Sequence, residues 1–224
     1  RSVDGRPLLF LALLDACGKE ADRFIGLASA LEIIHTYSLI HDDLPVMDND
    51  DLRRGMPTVH KKFNEALALL AGDTLLTYAF EKIAAAPLPA EKNVAIMGII
   101  TRCIGKDGMA QGQALDLEFA GDAGTIDAIH RLKTAELIKG ALLSAARVAD
   151  LDSSRQELLA RAGIALGMGF QLADDLLDIT GSEDKVGKKL NKDRSNRSPN
   201  AVLYLGEPVV REKIDAYYRE ARDL

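Results

Sequence analysis

Five aspartates, Asp42, Asp43, Asp48, Asp50 and Asp51, fall within ten residues, and Arg53 and Arg54 follow at once. Carboxylate oxygens without Cys or paired His suit a hard cation, and magnesium held by a few carboxylates plus substrate phosphates is the usual case. The ligand type argues against zinc. Guanidinium forks suit phosphate oxygens. The stretch therefore reads as a site for a magnesium-bound phosphate ester. A second acidic cluster, Asp174, Asp175 and Asp178, also closes an apolar run; Asp174 and Asp178 are four residues apart and share a helical face. Carboxylates that close repel one another unless cations compensate them. Two such triplets point to carboxylates facing each other across one cavity.

The elements that must position these residues are helices. Trp is absent, aromatics are 5%, and Ala and Leu recur at three- and four-residue intervals, which favours helix over strand. The pattern predicts an all-α protein with helices over 7–16, 21–44, 59–85, 92–113, 125–149, 153–177 and 209–222. Breaks fall at Cys17-Gly18, Leu44-Pro45, Pro87 to Pro89, Ala120-Gly121 and the polar stretch 181–199. Pro45 ends the helix before Asp48, so Asp48 must return to the metal through a turn. Several helices are apolar enough to be buried on most sides, as in a large bundle.

Other polar residues are weighed by spacing. Glu32 and His35 form half of a di-iron carboxylate pattern, but His41, His60 and His130 have no glutamate three residues earlier, so that reading fails. His35 instead lies seven residues before Asp42, on nearly the same face and two turns deeper. Lys133 with Thr134, and Lys185, Lys188 and Lys189 in a Gly-containing loop, could serve a diphosphate clamp alongside Arg53 and Arg54. Neither a P-loop nor a Gly-x-Gly-x-x-Gly pattern is present.

Composition bounds the rest. With 224 residues and 47% hydrophobic content, the chain can bury one substantial core. A net charge of -6 argues against general nucleic-acid binding. The apolar run Pro7 to Leu14 is far short of the roughly 20 residues needed to span a bilayer and lacks a signal peptide's flanks. Cys17 and Cys103 have no metal-like spacing, so a reducing cytoplasm is the default.

On these residues the chain resembles the trans-polyprenyl diphosphate synthases, most closely their bacterial farnesyl-producing branch. Five motifs match in order: Glu32 to Gly55, Leu70 to Phe80, Gly112 to Leu117, His130 to Thr134 and Phe170 to Gly181. The resemblance implies one polyprenyl synthetase domain over residues 1–224. Its fold would be an isoprenoid-synthase helical bundle around a central apolar cavity capped by the two aspartate-rich motifs. By the same resemblance, Asp42, Asp48 and Asp174 would hold three Mg2+ ions on an allylic diphosphate. Arg53, Lys133, Thr134, Gln171 and Lys188 would clamp that diphosphate, and Arg6, His35 and Arg54 would bind isopentenyl diphosphate. The implied reaction ionises dimethylallyl or geranyl diphosphate and joins the cation to isopentenyl diphosphate. Tyr37, five residues before Asp42, would set the product length at farnesyl diphosphate. A cytoplasmic homodimer without stable membrane insertion or nucleic-acid partner is the corresponding expectation.

Two departures stand out. Val3 occupies the place of a family lysine, and Asn196 to Pro199 offers only Arg197 where the family has a lysine followed by Thr or Ser. Either the chain is a variant with weakened isopentenyl diphosphate binding, or flexible segments, including parts of the termini, are missing from it; the second is the expectation. Geranyl- or geranylgeranyl-producing synthases of the same family are the alternatives. A terpene cyclase would not need His35 and Arg54, and a non-catalytic subunit of a heteromeric synthase usually lacks one aspartate motif.

Overall fold

The computed structural model describes residues 5–180 and 199–224. It contains two compact units, residues 1–97 and 98–224, and the division falls inside one continuous helix rather than in a linker.

In the N-terminal unit, α1 (Gly5–Ala16) opens with Pro7 in its first turn, where the missing N–H costs nothing. It buries Phe10 and Leu14 and stops at Gly18, whose φ of 70° takes the left-handed turn that ends many helices. A 3-10 turn, Ala21–Phe24, leads into α2 (Ile25–Asp42). Leu27, Leu31 and Ile34 recur on one face of α2 and are fully buried, and α2 packs along α4 (Glu65–Ala84). The stretch Ala21–Asp42 is long and apolar enough, by length and composition alone, to cross a membrane; its buried stripe instead belongs to this unit's core.

Between these helices lies an irregular acidic segment, then a short antiparallel ladder, β1 (Leu52–Arg53) with β2 (Met56–Pro57), and α3 (Val59–Lys62). The all-α expectation thus acquires one small ladder. Arg54 and Gly55 form its two-residue turn with φ of 54° and 76°, the left-handed pair that matches strand twist. The single helix expected over 59–85 is broken at Asn64, whose extended backbone lets its side chain accept the Leu67 N–H at 2.8 Å. An N-cap bond outcompetes helix continuation there.

Helix α5 (Ala90–Ile104) follows the Pro87 to Pro89 break and carries the chain into the second unit. The expected helix over 92–113 breaks at Gly105 to Gly108, and α6 (Met109–Leu117) starts afresh. At Gly108 an added Cβ would sit 2.0 Å from the Cys103 carbonyl oxygen, so only glycine fits. Next come α7 (Ala123–Ile129), a π-helical turn (His130–Ala135) and α8 (Glu136–Val148). Then α9 (Ser153–Thr180) runs for 28 residues. After the undescribed stretch, α10 (Ala201–Leu205) and α11 (Glu207–Asp223) close the chain, separated by Gly206 at φ 83°. Sequence periodicity omits α10 because it is a single capped turn and a half.

Helix α9 is the axis of this unit. Gly163 and Gly167 are one turn apart, and a Cβ on them would lie 2.6 Å from the Lys139 Cα and 2.4 Å from the Ala135 Cα. The backbones of α8 and the π turn therefore approach α9 closely. At the other end Leu172, Leu176, Ala201, Val202 and Val210 pack into one buried cluster.

Replacement of Gly167 by alanine forces the π turn away from α9, because the clash is with backbone. The expected cost is about 1–3 kcal/mol, read as a lower midpoint in urea denaturation followed by circular dichroism.

Candidate active site

In the N-terminal unit the site is built on the end of α2. The last turn is closed by Asp43, whose N–H donates to the Leu39 carbonyl. Pro45 cannot extend the helix, and the chain doubles back instead: the Asp48 N–H donates to the Asp42 carbonyl at 2.9 Å and the Asp50 N–H to the Asp43 carbonyl at 3.2 Å. This is the return turn that the Asp42-to-Asp48 spacing requires.

The two adjacent aspartates differ in environment. Asp42 is half-buried, whereas Asp43 is buried and accepts both Nε (3.0 Å) and Nη2 (2.5 Å) of Arg53 on Oδ1. Arg53 also lies 3.6 Å from Asp50. Its guanidinium is therefore engaged by its own chain and holds the ladder against the end of α2. Arg54, at the turn, is exposed. The base of the ladder is closed by Thr58, which donates its hydroxyl to the Asp50 carbonyl at 2.7 Å and its N–H to the Asp51 carbonyl.

One turn and a half before Asp42, the Tyr37 ring meets His41 edge-on at 5.8 Å, and His41 Nε2 donates to the Leu69 carbonyl across Gly72. Burial, reinforced by Asp42, raises the Tyr37 pKa, so it is a neutral phenol. Deeper on α2, burial lowers the His35 pKa to about 3, helped by Arg6, Arg54 and Arg53 in that order. A neutral imidazole thus sits in the field of three guanidiniums, from α1, the turn and β1.

In the C-terminal unit, α6 crosses the π turn so closely that a Cβ on Gly112 would lie 2.3 Å from the Lys133 nitrogen. The widened turn interrupts the regular ladder, a feature often found at functional sites. Here it carries Lys133 and Thr134 in succession. Lys133 Nζ donates to Asp116 Oδ2 at 2.5 Å. The Thr134 hydroxyl donates to Gln171 Oε1 at 2.9 Å, and Gln171 Nε2 donates to Asp175 Oδ1 at 3.2 Å. Asp174 is half-buried, while Asp175 and Asp178 are buried.

The structure thus gathers Arg6, His35, Tyr37, Asp42, Asp48, Arg53 and Arg54 around the end of α2. It gathers Lys133, Thr134, Gln171 and Asp174 around the π turn and α9. Lys188, with Val3, Lys185, Lys189 and the 196–198 stretch, lies outside the described residues. Motif spacing did not single out Asp43, Asp116, His130, Asp175 or Asn200 for roles; Asp43, Asp116 and Asp175 hold Arg53, Lys133 and Gln171, and His130 and Asn200 hold Asp175. All but Asn200 lie inside quoted motifs, which is the one signal that could have found them.

A model for polyprenyl synthetases matches residues 4–219. The chain belongs to the polyprenyl synthetase family. The farnesyl diphosphate synthase of Bacillus subtilis strain 168 is 41% identical, over 98% of this chain and 76% of its own length. The chloroplastic geranylgeranyl pyrophosphate synthase of Catharanthus roseus is 40% identical, over 97% of this chain and 63% of its own length. The fold is the isoprenoid-synthase fold. A Helicobacter pylori geranyltransferase, solved with magnesium and isoprenyl diphosphate, aligns with a TM-score of 0.87 and 34% identity over 96% of this chain and 74% of that one.

Among the described residues no three His, Cys, Asp or Glu side chains come together as a ready-made metal cage. The candidate donors are carboxylate oxygens alone: Asp42 and Asp48 in the N-terminal unit and, separately, Asp174 in the C-terminal unit. That set fits magnesium, which takes one or two carboxylates and completes its shell with water and substrate phosphate.

His35 also gives this family member a pH signature. Its pKa falls from 6.5 unfolded to about 3 folded, so below pH 6.5 the unfolded chain takes up the proton and stability declines as pH falls toward 3. A His35→Gln variant should lose a slope of about 1 kcal/mol per pH unit between roughly pH 4.5 and 6, measured by denaturant unfolding of both proteins across that range.

Proposed function

We propose that this chain is a short-chain prenyltransferase that joins dimethylallyl or geranyl diphosphate to isopentenyl diphosphate, giving mainly farnesyl diphosphate and diphosphate. The observation that carries the reading is the neutral His35 amid Arg6, Arg53 and Arg54, beside the aspartate-bearing end of α2. Three guanidiniums around an uncharged donor suit a diphosphate, and adjacent carboxylates suit its magnesium.

In this reading Arg6, His35 and Arg54 hold isopentenyl diphosphate. Lys133, Thr134, Gln171, Arg53 and Lys188 hold the allylic diphosphate, and Asp42, Asp48 and Asp174 bind three Mg2+ with it. Neutralisation of the departing diphosphate is what magnesium supplies when bound. The allylic C–O bond breaks with its electron pair leaving on diphosphate, the isopentenyl double bond attacks the resulting cation, and the released diphosphate takes the proton whose loss restores a double bond. The protein's part is to aim fixed cations at the leaving group and to keep water from the cation in a central apolar cavity. The neutral phenol of Tyr37 forms the floor of that cavity and sets the farnesyl length.

We further read residues 1–224 as one catalytic domain acting as a cytoplasmic homodimer. Leu67, Leu70 and Tyr78 share an exposed apolar face on α4, suited to a second copy, and Cys17 and Cys103 are both free thiols.

Purified protein given labelled isopentenyl diphosphate, geranyl diphosphate and magnesium should form farnesyl diphosphate, and absence of elongation at every magnesium concentration sinks the reading. Asp42→Ala and Asp174→Ala should each lower kcat by about a thousandfold or more with unchanged helical circular dichroism. Tyr37→Ala removes the floor, and chromatographic sizing should show products longer than farnesyl.

A further inference from the structure

We propose that Asp175 is a positioning residue for the allylic diphosphate clamp, so that the Asp174-Asp175 pair divides metal binding and positioning between its members. The inference deepens the prenyltransferase reading and rests on it for the roles of Gln171 and Thr134. Asp175 is only 5% exposed, and both its oxygens are engaged. Oδ1 accepts the Gln171 amide, while Oδ2 accepts the Ala201 N–H at 2.7 Å and lies 3.3 Å from His130 Nε2. Its backbone carbonyl accepts Asn200 Nδ2 at 3.1 Å. Oδ2 is taken up by a buried hydrogen bond with His130 beside it, and Oδ1 already serves Gln171, so the carboxylate is committed to the protein rather than to a cation.

The arrangement has a direction. An amide donates from nitrogen and accepts at oxygen. Because Asp175 can only accept, it fixes Gln171 Nε2 toward itself and turns Oε1 toward Thr134, whose single hydroxyl proton goes to that oxygen. Asp175 thereby sets the orientation of two clamp groups, Gln171 directly and Thr134 through Gln171. The same carboxylate pins the first N–H of α10 and is flanked by His130, the residue that opens the π turn. One buried side chain therefore ties α9, the π turn and α10 together where Lys133 and Thr134 emerge. The N-terminal unit repeats the division, with buried Asp43 holding Arg53 next to half-buried Asp42.

Calorimetric titration of magnesium and inorganic diphosphate into the intact chain separates a ligand from a positioning residue. Asp174→Asn should raise the magnesium concentration for half-saturation about tenfold, a change typical of a lost ligand or a disturbed one. Asp175→Asn should leave that midpoint within about twofold and weaken diphosphate affinity about tenfold. In a Gln171→Met background, Asp175→Asn should add less than about threefold, because the two act as one unit.

A midpoint shift in Asp175→Asn equal to that of Asp174→Asn overturns the assignment. So does an equal loss of diphosphate affinity in both backgrounds. Should Asp175→Asn lose its helical circular dichroism, Gln171→Met alone takes its place: weaker diphosphate binding at an unshifted magnesium midpoint supports the relay, and unchanged binding overturns it. Turnover measured alongside keeps the two claims apart. A parent chain that binds magnesium diphosphate but forms no prenyl product counts against the prenyltransferase reading alone, and one that binds no diphosphate overturns both.

Discussion

Two neighbouring carboxylates at the end of an apolar helix cannot both be left to repel each other in a site of low dielectric. The chain meets this constraint the same way twice. Asp43 and Asp175 turn inward and are held by Arg53 in one unit and by the Ala201 N–H, Gln171 and His130 in the other. Asp42 and Asp174 are each only half-buried, and in the proposed reaction they are the metal ligands. Each inward aspartate then does more than remove a repulsion. It orders a cation or an amide, and through it the ladder or the π turn.

Close packing makes such long-range orientation possible. Gly163, Gly167 and Gly112 let backbones meet at distances that any side chain would prevent. Two neighbouring elements, α6 and α9, thereby fix the π turn from either side. A π turn in an open helix would relax to the regular ladder. Held against α6 and α9, the turn that carries Lys133 and Thr134 keeps its widened form.

The helical class and the two acidic centres were legible in the sequence because apolar periodicity and like-charge crowding are local signals. Asp48 needed its return turn because Pro45 forbade continuing the helix, and that too is local. The ladder at Leu52 to Pro57 was hidden because its two-residue strands are too short to show alternation, although the Arg54-Gly55 turn was in plain sight. Asn64 broke a helix whose apolar pattern ran on unchanged. The partners of Asp175 were not legible: Asn200 and His130 are remote from it along the chain, and nothing in their surroundings marks them for a carboxylate. Likewise, Arg53 and Lys133 read as free cations by spacing, whereas folding supplies each with an anion.

Those internal anions bear on why a metal is needed at all. Lys133 is matched by Asp116 and Arg53 by Asp43 with Asp50 nearby, so each of these cations already has a protein anion, whatever substrate it serves in the proposed reaction. A diphosphate entering such a site brings several negative charges into a chain of net charge -6, and the cations can serve it only by sharing themselves with their carboxylates. In the proposed reaction the shortfall must be made up by charge that arrives with the substrate, which is the part assigned to magnesium. Burial above all keeps His35 neutral, and the three guanidiniums add to it; an uncharged imidazole can still donate a hydrogen bond to phosphate.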